Sequence, residues 1–288
     1  MKSPAPDTAH YRPRLTRARA PLTFTTQVMN EQGQWQEKAL ACERPLTLYL
    51  DKRELVTLMT LGEDPEALVL GYLRNQGLVE KLKDVLAIQV DWEVEAASIR
   101  TARTVENLEE LLSQRTVTTG CGQGTVFGNQ MARLENTRLP DWRLKQSQVY
   151  ALLNTLNEYN ATYRNAGAVH GCAVATSRGE VLAFCEDIGR HNAVDTLAGR
   201  LWLEGIQPEE AIFYTTGRLT SEMVIKTAQM GISVLLSRSG ATQMGLEIAK
   251  RLNILMLARA KGKHFQVFSG HSRLELDACP PLRAGERL

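Results

Sequence analysis

Hydrophobic and polar positions in the second half of the chain alternate between strand and helix patterns. Short apolar runs predict strands over Ala211–Thr215, Ile232–Leu236 and Ile254–Ala258. Between them, helical spacing predicts helices over Ser221–Met230 and Thr242–Leu252. A β-α-β-α-β order needs crossover connections, which place successive strands parallel with helices on the sheet faces. We therefore expect a mostly parallel sheet in this half of the chain.

The segment before this alternation adds further elements of both kinds. Apolar positions at Val149, Leu152, Leu153, Leu156 and Tyr159 have helical spacing. Val169–Thr176 and Val181–Phe184 read as strands around an Arg178-Gly179 turn, and a helix follows Gly189 and stops at Gly205. The second half thus reads as one α/β domain, which we place at residues 142–288.

The first half has a mixed pattern. Leu46–Leu50 is β-prone, and Pro65–Gln76 is a clear helix with Asp64 as cap and Gly77 as stop. Residues 1–21 contain four prolines and four arginines with little apolar content, which favours a mobile tail over a binding arm. We expect a flexible arm over 1–23 and a smaller mixed α/β lobe over 24–141.

Composition narrows the function. The formal net charge is only +2 over 288 residues, which argues against a nucleic-acid track, so an anion site must come from local clustering. No apolar run approaches the roughly 18 residues of a membrane span, and no signal-peptide order is present, so we expect a cytoplasmic protein without a membrane partner. Five cysteines at irregular spacing favour free thiols and no catalytic zinc.

Three predicted strand ends carry cationic residues. The runs are Thr216-Gly217-Arg218, Ser237-Arg238-Ser239-Gly240, and Arg259-Ala260-Lys261-Gly262-Lys263-His264. Ligands of open α/β sheets bind outside the carboxyl ends of the strands, and the first two runs lead into helix N-termini, which favour anions. The few charges indicate a phosphate or pyrophosphate site for a nucleotide-sized ligand rather than a polymer.

Cys121 lies among Gly120, Gly122 and Gly124. Glycine permits sharp bends that can present a thiol to a large partner, but a buried, inert cysteine in a glycine turn fits the same pattern. The sequence leaves both interpretations open.

A dense polar cluster spans residues 185–192. Glu186 and Asp187 could orient His191 or Arg190 as an acid–base site or a ligand clamp. The alternative is a structural salt-bridge network at the start of a helix.

Taken together, these residues resemble a known family. The runs that carry the resemblance are Glu43-Arg44-Pro45-Leu46, Val56-Thr57-Leu58-Met59, Asp64-Pro65-Glu66-Ala67-Leu68, Gly71-Tyr72-Leu73, Gly120-Cys121-Gly122, Glu186-Asp187-Ile188-Gly189-Arg190-His191-Asn192, Gly217-Arg218, Ser221-Glu222-Met223-Val224 and Ser237-Arg238-Ser239. In this order, over about residues 40 to 270, they resemble the FdhD family of formate dehydrogenase accessory sulfurtransferases.

The resemblance implies a cytidine-deaminase-like three-layer fold without the deaminase zinc, a smaller lobe, and a homodimer. It implies that Cys121 accepts sulfur as a persulfide from a cysteine desulfurase. The sulfur then passes to the molybdenum bis(molybdopterin guanine dinucleotide) cofactor, which formate dehydrogenase receives. The cofactor-binding segment would be Arg259, Ala260, Lys261, Gly262, Lys263 and His264, helped by Arg218 and Arg238, and guanine nucleotides would mimic the cofactor.

The chain also departs from the family pattern. Gly124 stands where many relatives have a second loop cysteine, so a resolving thiol is missing. Cys172 and Cys185 could replace it, although buried structural thiols fit them better, and Cys185 stands where relatives often have histidine. Two other functions stay open: a chaperone that binds the cofactor or a guanine nucleotide without sulfur chemistry, and a cysteine hydrolase that pairs Cys121 with His170 or His191.

Overall fold

The computed structural model describes residues 11–103, 116–117, 124–125 and 138–280. Two sheets organise these residues, one in each half of the chain. The first-half elements are β1 (Arg14–Leu15), β2 (Thr23–Met29), β3 (Trp35–Ala41), β4 (Arg44–Leu50), β5 (Arg53–Thr60), α1 (Pro65–Asn75), β6 (Val85–Asp91), β7 (Ala96–Thr101), β8 (Thr116–Val117) and β9 (Gly124–Thr125).

The second half contains the larger sheet and five of the described helices. Its elements are β10 (Leu144–Lys145), α2 (Gln146–Tyr159), α3 (Ala161–Ala166), β11 (His170–Thr176), β12 (Val181–Asp187), α4 (Arg190–Glu204), β13 (Ala211–Thr215), α5 (Ser221–Gln229), β14 (Val234–Ser237), α6 (Gln243–Arg251), β15 (Leu255–Lys261), β16 (His264–Ser269) and β17 (Leu274–Glu275).

The first sheet has the strand order β1-β6-β7-β4-β5 and packs against α1. Alternate residues of β4, namely Leu46, Leu48 and Leu50, are buried in this core because side chains of a strand point to opposite faces in turn. The predicted helix is confirmed. Asp64 caps α1 by accepting a hydrogen bond from the Ala67 amide, and Pro65 occupies its first turn. β2 and β3 form a separate two-stranded ribbon.

The flexible arm predicted over 1–23 is wrong for residues 11–23. β1 pairs in parallel with β6, and the Ala20 amide donates to the Gly62 carbonyl over 2.9 Å. The Ala18 amide donates to Glu66 Oε1 over 2.8 Å, and the Trp92 indole donates to the Ala18 carbonyl. Backbone groups of this segment are held by hydrogen bonds to the first sheet and α1. A composition rich in proline and arginine does not reveal such hydrogen bonds.

The second sheet has the order β12-β11-β13-β14-β15-β16, and it is mixed rather than mostly parallel. The pairs β13–β14 and β14–β15 are parallel, as their helical crossovers require, while β12–β11, β11–β13 and β15–β16 are antiparallel. Tight connections explain the flanking hairpins: Gly179 joins β11 to β12, and Gly262 joins β15 to β16, both with positive φ.

Helices cover both faces of the second sheet, which gives three layers. On one face Val194, Met223 and Ile248 of α4, α5 and α6 pack into a common core. On the other face Leu152 and Leu156 of α2 pack against residues such as Leu257. Among the described residues, none of the helices combines the length and apolarity that a membrane crossing requires.

The two halves meet where α1 packs on α4. A Cβ atom on Gly71 would lie 1.7 Å from the Asp195 carbonyl oxygen, and one on Gly199 would lie 1.9 Å from the Ala67 carbonyl oxygen. The two helices therefore approach to backbone contact, and only glycine fits at these positions. Trp202 and Leu203 of α4 also pack against the core of the first sheet.

Candidate functional site

Two neighbouring cavities open near the carboxyl ends of the parallel strands, and Arg238 lines both. The larger encloses about 520 Å³ and the smaller about 290 Å³. The larger is lined by Tyr150, Leu153, Asn154, Asn157, Tyr214, Arg238, Ala260, Lys261, Gly262 and Lys263. The smaller is lined by Asn160, Tyr163, Val169, His170, Gly171, Thr216 and Arg238. This is where ligands of such sheets bind.

The larger cavity brings together five of the predicted site residues: Arg238, Ala260, Lys261, Gly262 and Lys263. Arg238 comes from the loop after β14, and the others come from β15 and the turn that follows it. Burial raises the pKa of Tyr214 to about 12. The charge of Arg238 and its hydrogen bond to Tyr214 act to lower this pKa, but burial has the larger effect. Tyr214 is therefore a neutral phenol beside the guanidinium at neutral pH.

The segment from Arg259 to His264 is not the loop that the sequence predicts. β15 continues to Lys261, and β16 begins at His264, so only Gly262 and Lys263 form the turn. Arg259 adopts a φ of 53° at a register shift, and its amide donates to the Ser239 carbonyl over 2.8 Å. Neither Arg259 nor His264 is among the lining residues of the two cavities. The alternating apolar positions after His264 were the available signal for β16.

The predicted strand-end runs include Thr216 and Arg238 of the smaller cavity, but not its other lining residues, of which His170 is one. His170 Nδ1 lies 3.4 Å from the Thr216 hydroxyl, which accepts a hydrogen bond from the Gly171 amide over 3.0 Å. Burial lowers the pKa of His170, and the nearby positive charges of Arg190 and Arg218 lower it further. Arg218 is exposed and lies outside both linings, so its predicted role in binding stays a prediction.

The α2 wall of the larger cavity was also missed. Tyr150, Leu153, Asn154 and Asn157 follow one another at helical spacing and share the face that borders the cavity. The sequence showed the apolar stripe of this helix, but nothing marked the adjacent polar positions as lining a site.

Glu186 and Asp187 both accept hydrogen bonds that connect separate elements of the fold. Glu186 accepts from the amides of Thr162 and Tyr163 over 2.8 and 2.9 Å. Asp187 accepts from the Thr60 hydroxyl over 2.6 Å and from Asn192 over 3.0 Å. These contacts are those of the structural alternative, and the acid–base interpretation of the cluster stays a prediction. They join the start of α3 and the end of β5 to the second sheet.

A buried ionic cluster lies between α1, α4 and α5. Lys226 Nζ lies 2.8 Å from Asp195 Oδ2 and 3.1 Å from Glu222 Oε1, and all three side chains are buried. His191 Nε2 lies 3.6 Å from Glu222 Oε2. The Glu222 carboxylate acts to raise the pKa of His191, but burial has the larger effect and lowers this pKa to about 3. The ring is therefore neutral.

Cys121 lies outside the described residues. On either side of it in the sequence, Thr116–Val117 and Gly124–Thr125 pair as antiparallel strands. Cys172 and Cys185 are register partners across β11 and β12, and both are buried. Burial raises the pKa of Cys172 to about 12 and that of Cys185 well above its ordinary value, so both are protonated and unreactive.

Among the residues that the structure describes, no three His, Cys, Asp or Glu side chains are grouped closely enough to hold a metal ion. The expectation of no catalytic zinc stays a prediction for the whole chain.

The fold and the site define an α/β protein with two neighbouring cavities at its strand ends, lined in part by basic residues. The FdhD/NarQ family model matches residues 41–275. The chain belongs to the FdhD/NarQ family.

Named relatives match over most of their length. The chain is 30% identical over 249 residues to the sulfur carrier protein FdhD of Listeria monocytogenes serovar 1/2a, covering 85% of this chain and 95% of that one. It is 27% identical over 251 residues to the protein of the same name from Wolinella succinogenes, covering 86% of each. A crystal structure of a candidate formate dehydrogenase accessory protein from Desulfotalea psychrophila aligns with a TM-score of 0.72 and 27% identity, covering 88% of this chain and all of that one.

Proposed function

We propose that this protein is a sulfur carrier, a sulfurtransferase that serves formate dehydrogenase. Cys121 accepts sulfur from a cysteine desulfurase and passes it to the molybdenum bis(molybdopterin guanine dinucleotide) cofactor, which is bound as substrate. The observation that carries the cofactor-binding part of the proposal is the pair of cavities that share Arg238 in their linings, because their cations suit a ligand with nucleotide and pyrophosphate parts. The relatives' name, sulfur carrier protein, supports it.

Sulfur uptake needs one thiolate. The Cys121 sulfur attacks the outer sulfur of the desulfurase persulfide, a new S–S bond forms, and the desulfurase cysteine leaves as a thiolate. Release of that sulfur as sulfide takes two electrons, and Gly124 supplies no second thiol in the loop. Because Cys172 and Cys185 are buried and protonated, we assign this reduction to two external thiols: the first displaces sulfide and forms a mixed disulfide with Cys121, and the second frees Cys121 and leaves with the first as a disulfide.

In this proposal Arg238, Lys261 and Lys263 bind the cofactor, and Ala260 and Gly262 line the same cavity. Arg218 adds charge beside His170. Arg259 and His264 belong to the matching segment of the family, and we assign them a role in shaping the β15–β16 hairpin. Guanine nucleotides should bind the same cavities.

The remaining family features are part of the same proposal. We infer a homodimer, a cytoplasmic location and a cytidine-deaminase-like arrangement of the second sheet. The three layers and the central parallel strands support the last of these. Sedimentation of the full chain tests the dimer.

One observation favours a second candidate. Gly124 in place of a second cysteine suits a chaperone that binds the cofactor or a guanine nucleotide without transferring sulfur. Both candidates require the cavities, and only the carrier requires Cys121. A hydrolase that pairs Cys121 with His191 is less well supported, because the His191 ring is buried against Glu222.

The test of the site is GDP binding by calorimetry. Arg238→Gln should weaken GDP binding at least about tenfold, because a guanidinium shared by both cavities is lost. Arg178→Gln, an exposed arginine in the β11–β12 turn, should bind GDP as the native chain does. Equal affinity in all three proteins would reject the cavities as the nucleotide site.

A further inference from the structure

The ribbon formed by β2 and β3 exposes large apolar side chains on both of its strands. Phe24 and Met29 of β2 and Trp35 and Leu40 of β3 are between 45% and 70% exposed. None of the residues in the two strands is buried. Two strands alone are only marginally stable in water, and a third strand or a packed helix is needed to stabilise them.

The outer edge of β2 has no neighbouring strand among the residues that the structure describes. The Cys42 amide donates to the Leu22 carbonyl at one end of the ribbon, and the Asn30 amide donates to the Gln34 carbonyl at the other. Hydrogen-bonded pairs alternate along an antiparallel ladder. The backbone groups of β2 that point away from β3 are therefore those of Thr23, Thr25, Gln27 and Met29.

β2 lacks the features that usually keep edge strands from pairing. Its seven residues include no charged residue and no proline, and its ladder with β3 has no bulge. β3 differs, because it carries Glu37 and Lys38 and lies beside α3. The register that pairs all of β3 with a copy of itself would place Lys38 opposite Lys38, and like charges in that position destabilise a sheet. The edge of β2 is therefore the one that suits a further strand.

The backbone of β2 is complementary to itself. One antiparallel register pairs all seven residues with those of a second copy, and it places Thr26 opposite Thr26. In that register Thr25 faces Gln27 of the second copy, so outward-pointing backbone groups meet outward-pointing groups. Every hydrogen-bonding group on this edge of β2 gains a partner.

The side chains of β2 fit the same register. Phe24 faces Val28 of the second copy, and a pair of an aromatic and a β-branched residue stabilises a sheet. Within the chain, Phe24 also lies opposite Leu40. The apolar side chains of two copies therefore form one continuous face.

Charges at the ends of the ribbon are complementary as well. Continued beyond β2, the register brings the turn that contains Glu31 beside Pro21 of the second copy. The Pro21 carbonyl accepts a hydrogen bond from Arg44 Nη1 over 3.0 Å, so a guanidinium lies at that end of the ribbon. Opposite charges thus meet at both ends of the paired strands.

We propose that the edge of β2 is the interface between two copies of this chain. The two β2 strands pair antiparallel about a twofold axis between the Thr26 residues and form a four-stranded sheet of order β3-β2-β2-β3. A twofold contact of this kind closes on itself, and the charged β3 edges end the sheet. This inference rests on the homodimer of the proposed function and names the surface that forms it.

The test is sedimentation equilibrium of the full chain over a concentration series at low salt. The double variant Thr25→Lys/Gln27→Lys places lysine opposite lysine twice across the interface, so the dimer dissociation constant should rise at least about tenfold. Thr25→Glu/Gln27→Lys changes the same two exposed positions but places opposite charges together, so it should dimerise at least as tightly as the native chain. Within the chain these positions face Ala39 and Glu37, so neither variant places like charges directly opposite each other in the monomer.

Glu37→Lys on β3 is the matched control, because it raises the net charge by as much as the double lysine variant and should leave the dimer intact. Dissociation of both β2 double variants, or of neither, would overturn this interface and leave the homodimer in place. Dissociation of Glu37→Lys alone would place the contact at β3 instead. A monomeric native chain would overturn the homodimer as well, whereas sulfur uptake by Cys121 is measured separately and identifies a failure of the carrier role.

Discussion

The buried cluster of Lys226, Asp195, Glu222 and His191 shows how single residues set the stability of the fold. Burial acts to lower the pKa of Lys226, and the carboxylates of Asp195 and Glu222 outweigh it, so the pKa lies above its ordinary value. Asn75 of α1 donates to Asp195 over 2.6 Å, which ties the first half of the chain into the cluster. The lysine therefore supplies one positive charge shared by two buried carboxylates at the junction of three helices.

Replacing Lys226 with Met should destabilise the protein by roughly 3–5 kcal/mol, because two buried carboxylates lose their counter-ion. Denaturant unfolding gives this value directly. Lys250→Met, an exposed lysine on α6, is the matched control and should change stability by less than about 0.5 kcal/mol. A loss below about 1 kcal/mol for Lys226→Met would contradict this role.

His191 should make stability depend on pH. Its pKa is lowered to about 3 in the folded chain from an ordinary value of 6.5, so below pH 6.5 the unfolded chain binds a proton that the folded chain does not. Its contribution to stability is complete above pH 6.5 and is lost as the pH falls toward 3. Relative to His191→Gln, the native chain should lose about 1 kcal/mol between pH 7.5 and 5.5.

Urea unfolding at these two pH values measures the effect. The exposed ring of His271 provides the control, and His271→Gln should keep the pH dependence of the native chain. The account of His191 is rejected if its Gln variant loses as much stability over this range as the native chain.

At the scale of elements, the contact between α1 and α4 positions the two halves. Gly71→Ala should destabilise the protein by about 3 kcal/mol, because the added methyl group collides with the Asp195 carbonyl of α4 and the helices must separate. Gly240→Ala adds a methyl group with no atom within 4 Å and should be nearly neutral. Thermal unfolding of both variants distinguishes them, and similar melting temperatures would contradict backbone contact at Gly71.

Elements with strong local signals could be predicted from the sequence. The cap, first-turn proline and terminal glycine of α1 act within a few residues, and so do the apolar runs of β13 and β14. The order of the second sheet could not be predicted to the same degree, because strand direction depends on which strands pair. The prediction of a mostly parallel sheet considered only the helical crossover connections. The hairpins at Gly179 and Gly262 add antiparallel strand pairs, so the sheet is mixed.

At the scale of the whole molecule, the site could be predicted only in part. The sequence placed Arg238, Lys261 and Lys263 near strand ends, which meet at one edge of a parallel sheet, and the three residues do line one cavity. Their role in binding stays a prediction. His170 and the α2 wall reach the same place from elements distant in sequence, which periodicity does not reveal. Arg259 was predicted in a loop, but it lies in β15, because this strand continues beyond its apolar run and turns only at Gly262.

The central claim is that Cys121 carries sulfur, and intact-protein mass spectrometry tests it most directly. The protein is incubated with a cysteine desulfurase and cysteine, beside Cys121→Ala and, as a control, Cys279→Ala, which removes an exposed thiol. The account predicts a reducible gain of one sulfur atom on the native chain and on Cys279→Ala, and none on Cys121→Ala. No gain on the native chain, with the desulfurase active on another acceptor, would contradict it and favour the chaperone.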